Sequence, residues 1–139
     1  DFYKNLRQKI SEWLSSDEGQ SFRWTRYIVA APDLLHLMCK LVIHNDVSDK
    51  DKAMLGIAIA YFISPADLIP EAIVGPAGYV DDIALAAHVL NKIIKNNREA
   101  VKQEWAGDED ILELVTNILA AADEMIGTGL WIKIKNMFK

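Results

Sequence analysis

Ala53-Met54-Leu55-Gly56-Ile57-Ala58-Ile59-Ala60-Tyr61-Phe62-Ile63 is the stretch on which the architecture turns, and it runs straight into Ser64-Pro65-Ala66-Asp67-Leu68-Ile69-Pro70-Glu71. No charged residue occurs from Ala53 to Ala66. Such a run shows no strict alternation and is shorter than the roughly 18 to 20 apolar residues that cross a bilayer, so it reads as a buried helix. Because it is apolar on every side, it is expected to be the central, fully covered helix of a bundle. Ala53, Gly56 and Ala60 share one face, where small side chains let another helix backbone come close.

Outward from this run only helical periods appear, divided by punctuation into about seven segments. Leu6, Ile10, Trp13 and Leu14 give a stripe over Phe2 to Leu14. A second helix is expected over Gln20 to Ala30, stopping before Pro32, because proline disfavours helix at the residue ahead of it. Pro32 then suits the first turn of a third helix. On that helix Asp33, His36, Lys40 and His44 fall within about 80° and predict a narrow solvated stripe, with Cys39 among the apolar residues on the remaining surface. His36 and His44 stand two turns apart with a lysine between them, which argues against a metal pair. Ser48 followed by Asp51 resembles a capping box opening the next helix. After the proline turn, a fifth helix from about Asp81 is expected to run on to Trp105, and a sixth from Asp110 to Met125 is ended by Gly127 and Gly129. The expected fold is all-α, a compact, irregular or orthogonal bundle of about six to seven short helices around an apolar helical hairpin.

The chain has 139 residues, 51% of them hydrophobic and 25% charged, which fits one globular domain spanning 1–139. Its net charge of −5 repels phosphate backbones and disfavours general nucleic-acid binding. Cys39 has no second cysteine to pair with, which fits a reducing, cytoplasmic setting. The sequence opens at Asp1 and not at a methionine, which leaves room for residues upstream. Its first residues carry neither a signal nor a transit peptide pattern.

Tyr61, Ser64-Pro65-Ala66-Asp67-Leu68-Ile69-Pro70, Gly78 and Asp81-Asp82 together resemble the YkvA-like family. Its hallmark is a tyrosine-ended apolar helix, a serine-proline-x-aspartate-leucine-isoleucine-proline turn, a glycine and a double aspartate. The likeness covers about residues 53 to 90. It implies a small helical domain and supplies no substrate, cofactor or reaction. Glu71 stands where similar proteins carry aspartate, and Val74-Gly75-Pro76 displaces a proline expected near Ile73.

Physical chemistry says more about this turn than the likeness does. Pro65 and Pro70 fix two backbone angles and remove two amide donors, so the helix must stop and the chain must enter a stiff hairpin. Leu68 and Ile69 are too apolar for a fully exposed loop. No lysine or arginine lies between Lys52 and Lys92, yet Asp67, Glu71, Asp81 and Asp82 do, and buried carboxylates need compensation. Helix N-terminal amides could supply it, as could Arg23 or Arg26. A magnesium or calcium ion held by Asp67, Glu71 and Asp82 is a third source. Projection at 100° per residue puts Asp81 on a wet face with His88 and Lys92, and Asp82 towards the interior.

Nothing resembles a nucleophile elbow, a phosphate loop or a zinc spacing, so an enzyme is disfavoured. The expected function is a helical interaction or scaffold module in which the proline-aspartate hairpin recognises a protein partner or a second copy of the chain. The first alternative is a divalent-metal domain, structural or hydrolytic. The second is peripheral membrane association through residues 130–139, where Trp131, Ile132 and Phe138 mix with Lys133, Lys135 and Lys139 and no acid occurs.

Overall fold

The computed structural model describes residues 2–63, 80–107 and 109–137. Among them are eight helices and no strand: α1 Phe2–Leu14, α2 Asp17–Ser21, α3 Thr25–Val42, α4 Asp49–Ile63, α5 Val80–Ile94, α6 Arg98–Glu104, α7 Ile111–Ile126 and α8 Thr128–Met137. They form a helical bundle built round α5, which packs against α3, α4, α7 and α8. Its alanines at 84, 86 and 87 keep it thin, and with Ile83, Leu85, Val89, Leu90 and Ile93 they are buried. The centre is therefore α5, not α4 as the charge-free run predicts.

The reason lies on the outer side of α4. Leu55, Ala58 and Phe62 are buried, but Ala53, Gly56, Ile57, Ala60 and Ile63 are exposed. At 100° per residue those five fall on one face of about 120°. Apolar composition all round requires cover on every side only if the domain itself supplies it. Here the described helices cover one side.

Pro32 does not begin a helix. It lies inside α3, which is continuous from Thr25 to Val42. An interior proline costs about 3 kcal/mol, and burying Tyr27, Ile28, Ala31, Leu34 and Leu35 along one rod outweighs it. The second segment is consequently the short α2, capped by the Ser16 hydroxyl, which accepts from Gly19 N at 3.1 Å. Gly19 is required there, because a Cβ would stand 2.1 Å from the carbonyl oxygen of Trp13.

The polar stripe of α3 is not simply solvated, since α1 and α6 pack on that helix. Arg7 of α1 donates to Asp33 Oδ1 at 3.0 Å. Beyond the helix end, His44 Nδ1 accepts from Asp46 N at 3.2 Å, so its Nε2 carries the hydrogen directed at Gln103 Oε1, 3.4 Å away. Lys40 remains exposed. Cys39 is exposed too, although the periodicity groups it with the apolar residues. Partial burial pushes its thiol pKa up, which keeps it a poor nucleophile at neutral pH.

Asp110 caps α7 as its position suggests, accepting from Leu112 N and Glu113 N at 2.8 and 3.2 Å. Gly127 closes that helix at φ 87°, a left-handed angle that favours glycine. Gly129 is not a terminator, since α8 starts at Thr128.

Within α8, Trp131 and Ile134 are buried on the domain, while Ile132 and Met137 face outward beside Lys133 and Lys135. Trp131 meets the edge of His88 with ring centroids 5.6 Å apart. Burial lowers the pKa of His88, and the nearby charges of Lys92 and Lys135 lower it further. A lowered folded-state pKa means that the unfolded chain takes up this proton first. The histidine's contribution is then fully present above its ordinary value of 6.5 and is lost as pH falls through 6.5 towards the lower folded value. His88→Gln is expected to flatten the dependence of the urea midpoint on pH across that window. An unchanged slope would remove His88 from the account.

No helix among the described residues is long and apolar enough to cross a membrane.

Candidate functional site

The acids expected to matter divide into those the structure describes and those it does not. Ser64, Pro65, Asp67, Leu68, Ile69, Pro70, Glu71 and Gly78 lie outside the described residues, and so do two of the three carboxylates of the metal reading. Among the described residues no group of three metal-ligating side chains converges. Tyr61, half-buried near the end of α4, packs against the core.

Asp81 and Asp82 open α5, where the positive end of the helix dipole favours carboxylates. Their exposures are 2% and 1%. Asp81 is therefore not on a wet face. Angular projection places it with polar residues, but α5 is covered on both sides at this end, so the polar sector of its first turn is interior as well. Neither carboxylate is without a partner. Arg23, offered as a counter-charge for the acidic stretch, pairs instead with Glu124 of α7 and lies 4.4 Å from the centroid of Trp24. Arg26 lies over Tyr27 at 5.3 Å.

A second polar cluster escaped the sequence reading. Ser48 caps α4 as expected, its hydroxyl accepting from Asp51 N at 3.2 Å. Asp51 is 8% exposed, and its carboxylate accepts at Oδ2 from Asn97 Nδ2, 2.9 Å away. Asn97, 6% exposed, donates from the same nitrogen to Ile93 O at 2.7 Å. That bond ends α5, because the side chain takes the carbonyl that a continuing helix would use. Backbone bonds from Asn96 N to Ile93 O and from Asn97 N to Ile94 O tighten the last turn. The expected single helix to Trp105 is thus two helices, α5 and α6. The Asn96-Asn97 pair was the available signal, since asparagine competes locally for backbone groups.

These residues line a pocket of about 520 Å³ between the start of α4 and the end of α5, with Asp46, Ser48, Lys50, Met54, Lys92 and Asn96 completing its wall. A more apolar groove of about 310 Å³ lies between α6 and α7, beside Trp105 and Leu112.

Residues 51–87 match a protein-family model described as "Protein of unknown function (DUF1232)". The match begins at Asp51 and takes in the exposed face of α4 and the two aspartates of α5. A protein from Methanothermobacter thermautotrophicus, described as "Uncharacterized protein ORF9", is 22% identical over 134 residues, covering 96% of this chain and 90% of its own length. No solved structure matches the chain significantly. The chain is thus similar, across the double-aspartate region, to a family of unknown function.

Proposed function

We infer that this chain is a non-enzymatic helical interaction module that self-associates through the outward face of α4, the helix that precedes the proline- and aspartate-bearing stretch in the sequence. The observation carrying this reading is the exposure of Ile57 and Ile63, 47% and 51%, on a helix face with no charged residue from Ala53 to Ile63. Contiguous apolar surface of that kind marks a docking surface more often than a scatter of single residues does. Gly56 supports close approach from outside. Among the described residues, and apart from its chain neighbours and the backbone of its own helix, no heavy atom lies within 4 Å of where its Cβ would stand, so packing inside the domain does not demand glycine there. Glycine in a helix interior costs roughly 1 kcal/mol relative to alanine.

A second copy is the occupant favoured by self-complementarity. In an antiparallel pairing about a twofold axis, Ile57 of each chain meets the hollow at Gly56 and Ala60 of the other, and the two helix dipoles oppose. The YkvA-like resemblance belongs to the same reading and contributes no chemistry to it.

Light scattering after size exclusion, over a wide concentration range, is expected to show mass rising towards twice that of the chain. Ile57→Glu should weaken the association at least about tenfold, since it buries a carboxylate where an isoleucine belonged, with little effect on the monomer's melting. A wild-type chain that stays monomeric at the highest concentration would refute self-association.

A further inference from the structure

We propose that the pocket between the start of α4 and the end of α5 binds a small zwitterionic molecule of the α-amino-acid class, its ammonium group on Asp51 and Asn97 and its carboxylate on Lys50 and Lys92.

The chemistry follows from a count of donors. Asn97 Nδ2 faces two acceptors, Asp51 Oδ2 and Ile93 O, so the orientation of its amide is fixed by its neighbours and both hydrogens are in use. What remains is Oδ1. Asn97 stands at the N-cap of α6, where an asparagine oxygen ordinarily accepts from the first turn, yet it makes no such capping bond. Nor does Oδ1 accept any hydrogen bond among the described residues. Asp51 likewise has a second carboxylate oxygen beside the one held by Asn97. The two most buried residues of the pocket therefore present acceptors and no donor. A hydrogen-bond donor bearing positive charge is the complement of such a floor, and an ammonium group carries three hydrogens for it.

The rim sets the rest of the ligand. Lys50 and Lys92 are exposed side chains lining the pocket, one from α4 and one from α5. They disfavour a bare metal cation above the acceptors, and they favour a ligand whose far end is anionic. With Asp46 and Asp51 the wall carries two negative and two positive residues, which suits a molecule of no net charge. The volume of about 520 Å³ leaves room for a side chain, against which half-buried Met54 offers an apolar contact.

The test is a titration of the ¹⁵N-labelled full chain, followed by amide chemical shifts, with a mixture of free amino acids, with ethylammonium chloride and with sodium acetate as separate probes. The proposal expects saturable shifts centred on Asp51, Met54 and Asn97 with the amino acids, and much weaker ones with either half-probe. Asp51→Asn, which keeps an acceptor for Asn97, should weaken binding by about tenfold or more, and Lys92→Gln by a smaller factor. Melting curves establish that each variant is folded, and Lys92→Gln decides the matter should Asp51→Asn not fold. Acetate binding as tightly as the amino acids, or no saturable shift with any probe, overturns the proposal.

Discussion

Replacing Asp82 with alanine is expected to lower the free energy of unfolding by about 3–5 kcal/mol, which is a large part of the total for a domain of this size. The carboxylate is 1% exposed at the first turn of the most buried helix, and it is not without a partner there. Removing it deprives whatever it engages of that partner, in a site that water does not reach. The loss should be visible as a shifted urea midpoint with the slope unchanged. Asp81→Ala is the informative companion. An exposed aspartate would tolerate the change within about 0.5 kcal/mol, whereas Asp81 at 2% exposure should behave like its neighbour. A midpoint near that of wild type for both variants would mean that neither acid helps to hold the fold.

Leu90→Ala should cost about 2–5 kcal/mol by the same measurement. Leu90 is wholly buried on α5, and the helices packed round it can collapse only partly into the space its side chain would vacate. Ile57→Ala supplies the contrast, since the isoleucine is 47% exposed and its truncation should fall within about 0.5 kcal/mol in the monomer. Equal costs at the two positions would contradict the placement of α5, and not α4, at the centre.

The all-helical character was legible because the long segments outside the turns repeat their apolar residues at helical spacing, and the bounds of α1 and the start of α7 near Asp110 follow from local chemistry alone. Which helix lies innermost was not legible. Ala53 to Ile63 is free of charge, whereas α5 contains Asp81, Asp82, His88 and Lys92, so composition ranks them in the wrong order. Interior position depends on which elements surround a helix, and that is a long-range property. Pro32 misled for a related reason: local propensity opposes helix there, and burial along α3 overrides it. Of the candidate site, the burial of Asp82 was readable from its projection, while that of Asp81 was not. In the sequence Asp51 reads only as a capping residue. Its pairing with Asn97, 46 positions away in the chain, has no local signature.

The near-total enclosure of α5 bears on how the molecule comes apart. A rod that touches α3, α4, α7 and α8 and offers water almost no side of its own cannot stand once any flank departs. Peeling away one neighbour bares aliphatic surface that the remaining helices cannot re-cover, and it opens the two acids at the rod's tip to solvent. Fraying is therefore confined to the periphery, and beyond that the described helices are lost in a single all-or-none step.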